Sequence, residues 1–207
     1  MKRTSAFWGL FSDYFKTDIR TVILLAFYAS GILLGALLIR FDVGFASDYA
    51  YSSVTKLVFG ISDFRFWQIF SAYILYMLTA YFFSVMLGLF VPGEILSFAY
   101  MLFEGARTGA VYAVMYSSYG MKGALFSFSV MFLPTVIFAY ANAFAFRGTV
   151  SFSLKLLMQF LGKKCDDLFF EYKSFLARSI LFLVLILAAS AVGSALYVCF
   201  SGVFDFV

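Results

Sequence analysis

Histidine is missing altogether from this 207-residue chain, proline and cysteine occur only twice each, and charged residues make up just 13% of it. Each scarcity excludes something. Without imidazole there is no Ser-His dyad, no His-rich zinc site and no histidine acid-base chemistry. Cys165 and Cys199 fall in segments expected on opposite sides of a bilayer, so an internal disulfide is not expected. The chain contains no HExxH, P-loop or dinucleotide fingerprint. Glu94 and Glu104 would stand about 15 Å apart along one helix, too far to act as paired carboxylates. Asp166, Asp167 and Glu171 are interleaved with Lys163, Lys164 and Lys173 and read as a solvated juxtamembrane charge cluster rather than a metal site. No catalytic constellation, cofactor site or metal site is expected.

What the chain has in abundance is apolar surface. Hydrophobic residues make up 64% of it, with 30 Phe and 14 Tyr, and the mean hydropathy is +0.97, far outside soluble usage. Runs long enough to cross about 30 Å of hydrocarbon fall at 21–40, 67–90, 94–117, 124–146 and 178–200. No alternating strand pattern accompanies them, and lipid tolerates no unpaired backbone amides, so the spans must be helical. The expectation is an all-α polytopic membrane bundle of about five transmembrane helices. No linker, low-complexity tract or long-period repeat divides the chain, which reads as one membrane domain over residues 1–207. The MKR start resembles a signal peptide, but the first apolar run is long and lacks a small-residue cleavage site, so an uncleaved first helix is expected.

Charge placement orients the bundle. With the N-terminus inside, ten basic residues face the cytoplasm: Lys2, Arg3, Lys16, Arg20, Arg147, Lys155, Lys163, Lys164, Lys173 and Arg178. Four face outward: Arg40, Lys56, Arg65 and Lys122. That bias predicts N-in and C-out. The formal net charge of +4 is thus assigned to orientation and to anionic lipids at the inner face, not to nucleic acid. Val91-Pro92-Gly93 reads as a tight turn between spans two and three, and residues 117–123 as another, predicting a compact unit of spans two to four. The outer segment 41–66, with YSSVTKLVFGI, and the inner basic segment 147–177, with FSLKLLMQFL, each read as carrying an interfacial helix that anchors at the lipid surface or meets a partner.

One stretch interrupts the third span: Phe103-Glu104-Gly105-Ala106-Arg107-Thr108-Gly109. Glu104 and Arg107 lie three apart on one helical face, with Ser97, Tyr100 and Thr108 nearby. A lone charge near mid-bilayer would cost roughly 2.5–3.5 kcal/mol, so the pair should neutralise itself and face protein or water. Gly105 and Gly109, like Gly31 and Gly35 in span one, have the small-xxx-small spacing that admits a close helix neighbour. Pro134 should kink span four, with Thr135 satisfying a freed backbone group. Ser127, Ser129, Thr135 and Asn142 supply either interhelical hydrogen bonds or one wall of a cavity shared with Glu104 and Arg107. The favoured reading of the charges is a structural ion pair; the alternative is a small-solute channel or transporter lined by the polar face of span three.

The first span with SGILLGA, then FEGARTGAVYAVMYSSYGMKGALFSFSVMFLP, then a basic segment with FSLKLLMQFLGKK together resemble the stage II sporulation protein M family of five-span membrane proteins in endospore-forming bacteria. The likeness covers most of the chain in layout and is sharpest over residues 103–134; Glu104 and Arg107 are not part of the family signature. The resemblance implies a non-enzymatic scaffold in the mother-cell membrane during engulfment. It further implies partnership with stage II sporulation proteins D and P, which degrade septal peptidoglycan. Segment 41–66 and the tail 201–207 would then be the places to meet wall-acting partners.

Overall fold

A computed structural model describes residues 18–44, 47–48, 50–53, 66–90, 93–162 and 168–201, with backbone alone at 168–171 and 201. The described residues are helical, without strands. We label the helices α1 (Ile19–Arg40), α2 (Phe66–Leu89), α3 (Gly93–Phe126), α4 (Phe132–Phe160) and α5 (Leu168–Ser201). A π-helical turn, Ser127–Met131, joins α3 to α4.

Four helical stretches are long and apolar enough to cross a membrane: Ile19–Arg40, Phe66–Leu89, Gly93–Phe160 and Tyr172–Phe200. The third, of 68 residues, is a helical hairpin. Its bend is Gly120, whose φ of 57° and ψ of −133° belong to a region that only glycine enters without strain. The two limbs run back along each other. Tyr112 donates to Thr135 (3.0 Å) near the bend, and the Tyr100 and Phe146 rings meet at 5.2 Å further down.

Successive limbs alternate in direction. Against α4, α5 runs antiparallel: Phe175 stacks on Phe152 (5.2 Å) at one end, and Tyr197 meets Phe126 edge-on (6.1 Å) at the other. Next to α4, α2 runs parallel, since Tyr76 meets Phe138 (5.6 Å) and Ser84 meets the Thr149 hydroxyl (3.2 Å). One end of the bundle therefore gathers Asp18, Leu89, Gly93, Phe152 and Phe175, and the opposite end gathers Arg40, Phe66, Tyr119 and Tyr197. Between these ends α4 is the hub. Its Phe138 and Ala141 pack with Met77, Phe182 and Ile186 on α2 and α5; its Ala139, Ala143 and Phe146 pack with Leu24, Tyr28 and Met101 on α1 and α3.

The outward surface is apolar as well. Leu33, Trp67, Leu75, Phe103, Phe128 and Ile180 are each at least 60% exposed, which water would not tolerate over so large an area. A bundle apolar both inside and outside is solvated by lipid. The protein is a multi-pass α-helical membrane protein.

Three expectations need correction. The compact unit of spans two to four is only part of the packing: these three do pack on one another, but the most intimate neighbour of α3 is α1, because glycines let their backbones touch. The inner segment 147–177 is not a separate surface helix. Instead α4 continues unbroken to Phe160, with Thr149 and Ser153 buried against the end of α2 and Phe152 against α5. Apolar partners across the bundle hold that extension straight rather than letting it lie on lipid. Thirdly, Thr135 does not repair the backbone at Pro134. The preceding π turn accommodates the proline, with the Phe132 N–H reaching Ser127 five residues back, as such bulges do near prolines, while the Thr135 hydroxyl is engaged by Tyr112.

Part of segment 41–66 is described too. Residues 50–53 are helical, and Ala50, fully buried, packs with Ala110, Val114 and Tyr197 at the end of the bundle. Residues 54–65 of that segment, the turn residues Val91 and Pro92, Lys2, Arg3, Lys16, Lys163, Lys164, Cys165, Asp166, Asp167 and the tail 202–207 lie outside the described residues.

Candidate functional site

The site begins with backbone contact. On α1, a Cβ built on Gly31 would lie 2.9 Å from the Ala106 amide nitrogen and 3.0 Å from the Gly105 Cα; one built on Gly35 would fall onto the Ala106 carbonyl. Across the seam, a Cβ on Gly105 would strike the Tyr28 carbonyl and one on Gly109 the Ile32 carbonyl. Tyr28 thus faces Gly105, and Ile32, four residues on, faces Gly109, so α1 and α3 run parallel. All four predicted glycines share one seam, and each is there because no side chain fits between the two backbones.

That approach fixes the side of α3 bearing the charges. Glu104, 3% exposed, pairs with Arg107 through Oε2 at 2.8 Å. Tyr76 on α2 closes the pair from the other side. Its hydroxyl donates to the same Oε2 at 2.8 Å, while the Arg107 guanidinium carbon lies 3.9 Å from its ring centroid. One tyrosine therefore binds the anion by a charge-assisted hydrogen bond and the cation by its π face. On the α1 side, Tyr28 and Thr108 hydroxyls meet at 3.0 Å, and Thr108 donates to the Glu104 backbone carbonyl at 2.9 Å. The charges are thus held between α2 and α3, with α1 bracing the next turn of α3 through Thr108.

The remaining sequence candidates separate. Ser97 is buried but spends its hydroxyl on the Gly93 carbonyl one turn back, at 2.6 Å. Tyr100 alone stays with the pair: its ring stacks between Phe83 of α2 and Phe146 of α4, and its hydroxyl hydrogen-bonds the Glu104 carboxylate. Pro134 lies at the other end of the bundle, beside Gly193 of α5, where an added Cβ would come within 3.2 Å of the ring. Asn142, fully buried, makes no interhelical hydrogen bond. Ser127 is likewise buried with an unpartnered hydroxyl.

Tyr76 was not legible in the sequence. It is one of 14 tyrosines and sits 28 residues from Glu104, with no local motif to mark it. A second ion pair, Arg147 to Asp18 at 3.4 Å, and Arg20 donating to Ser151 at 3.0 Å, tie the start of α1 to α4 where the basic residues concentrate.

Chemically, this arrangement neutralises and immobilises two opposite charges. Its class is a polytopic helix bundle with a clamped internal ion pair. No family model, no curated protein and no solved structure matches the chain.

Proposed function

We propose that the protein is a non-enzymatic membrane scaffold that crosses the bilayer five times, N-terminus in and C-terminus out. The observation that carries this reading is the clamp on Glu104 and Arg107. Each charge is met by the other and by Tyr76, which favours a packing device over a reactive centre. Five limbs of alternating direction suit the crossing number. Among the described basic residues, Arg20, Arg147, Lys155, Lys173 and Arg178 lie at the end where α1 begins, against Arg40 and Lys122 at the other, which supports N-in. The same inner end would meet anionic lipid head groups.

The resemblance to the stage II sporulation protein M family gives the scaffold its proposed setting. It would sit in the mother-cell membrane of an endospore-forming bacterium and organise peptidoglycan-degrading partners, by resemblance stage II sporulation proteins D and P, during engulfment. Segment 41–66 is the proposed outer contact. Replacing its aromatic and charged residues should abolish co-purification of the partners from sporulating cells while the protein still accumulates; unchanged recovery rejects this contact.

A second reading, a small-solute channel or transporter along the polar face of α3, is favoured by the unpartnered carboxamide of Asn142. Reconstituted liposomes separate the two. The scaffold reading predicts no solute flux above that of empty vesicles and no change with Glu104→Gln; flux that responds to that substitution establishes the channel.

A further inference from the structure

Asn142 has no exposed surface, and neither its amide nitrogen nor its carbonyl oxygen has a hydrogen-bond partner in the chain. A carboxamide carries two donors and an acceptor with two lone pairs. Keeping all of them dry in an apolar core costs more than a made hydrogen bond returns. The unpartnered Thr21 and Ser127 hydroxyls are less demanding, because a helical hydroxyl can turn back to the carbonyl of the preceding turn. Asparagine's amide, in contrast, needs an occupant.

Its neighbours identify where that occupant sits. One turn before Asn142, Phe138 packs on Tyr76 at 5.6 Å, and the Tyr76 hydroxyl is on Glu104. One turn after it, Phe146 packs on Tyr100 at 5.2 Å, and Tyr100 lies one turn before Glu104. These two ring contacts bracket both residues, so Asn142 and Glu104 occupy the same level of the bundle on facing helices. Tyr76 and Arg107 both engage Oε2 of Glu104 and the Tyr100 hydroxyl also bonds the carboxylate, which with about four lone-pair sites retains acceptor capacity.

We propose that an ordered water molecule is bound between the Asn142 carboxamide and the Glu104 carboxylate. Water is the ligand whose size and mixed donor and acceptor character fit: it takes a hydrogen bond from the amide and gives one to the carboxylate, meeting the two-to-four partners that buried waters have. A cation is disfavoured by Arg107, and an anion by Glu104. Bound there, water lowers the cost of burying the ion pair by taking up the acceptor capacity that the neighbouring side chains leave. The proposal goes beyond the scaffold reading and stands if that reading fails, since its test involves neither partners nor flux.

The experiment is water-to-protein magnetisation transfer on the isotope-labelled full chain in lipid nanodiscs. The expected result is a water contact at the Asn142 side-chain amide, absent from the side chains of Met101 and Phe146 nearby. Asn142→Leu, similar in size but unable to hold water, should remove no contact elsewhere and lower the unfolding midpoint by about 3–6 °C. A parent amide with no water contact overturns the proposal. So does an Asn142→Leu variant that melts higher than the parent, because relief of a dry amide stabilises. If the leucine variant does not accumulate, Asn142→Ala is read by the same midpoint criterion.

Discussion

Tyr76 decides how the buried charges are tolerated. Glu104 and Arg107 are only three residues apart, and an isolated pair on one helix would still leave most of each group's hydrogen-bonding capacity facing apolar surroundings. Tyr76 supplies both a donor for the anion and a ring face for the cation. Tyr76→Phe removes the first and keeps the second, so it should cost about 1.5–3 kcal/mol, the worth of a hydrogen bond to a charged group. Thermal unfolding in detergent checks this; a phenylalanine variant as stable as the parent would mean the hydroxyl is incidental. At this scale the sequence revealed Glu104 and Arg107, because two charges in an apolar run stand out and helical spacing pairs them. Their third partner was hidden, because nothing local distinguishes a tyrosine that meets a carboxylate from one that faces lipid.

Among the helices, the parallel contact of α1 with α3 depends on glycine in a way other contacts do not. A Cβ at Gly35 would overlap the Ala106 backbone, whereas one at Gly88 would meet the ring tip of Phe175 at 2.7 Å. Backbone cannot yield without separating the helices; a ring tip can pivot. Gly35→Ala is therefore expected to cost about 1–3 kcal/mol or more and Gly88→Ala distinctly less. Urea or heat titration of both variants checks the order, and equal losses would contradict the seam. The glycine spacing was readable in sequence, and so was the bend near Gly120. The straight extension of α4 past Arg147 was not, because residues 147–160 look like a basic amphipathic surface helix until α2 and α5 cover Thr149, Phe152 and Ser153. Likewise, sequence adjacency favoured α2 as the partner of α3, while close packing of small residues favoured α1.

For the whole molecule, apolar surface inside and outside, with charges gathered at both ends, makes the membrane its solvent. The class of fold was legible from composition because 20-residue apolar runs leave few alternatives. The setting in endospore formation rests on layout and the motifs of residues 103–134, and stands as a proposal. Orientation is accessible through Cys199, which is exposed near the end of α5. In cells carrying Cys165→Ser, a membrane-impermeant thiol reagent should label Cys199 from outside without permeabilisation. Labelling only after the inner face is opened would reverse the proposed topology.

All these scales meet in the proposal that the intramembrane charges hold helices together. Its most direct measurement is a double-substitution cycle on Glu104→Gln and Arg107→Gln, read as folded protein recovered from membranes and as unfolding free energy. Stranding one buried charge should cost about 3–5 kcal/mol in either single variant, and the double variant should regain much of that loss while keeping its fold. Two single variants as stable as the parent, or a double variant as impaired as both losses added together, would contradict the account.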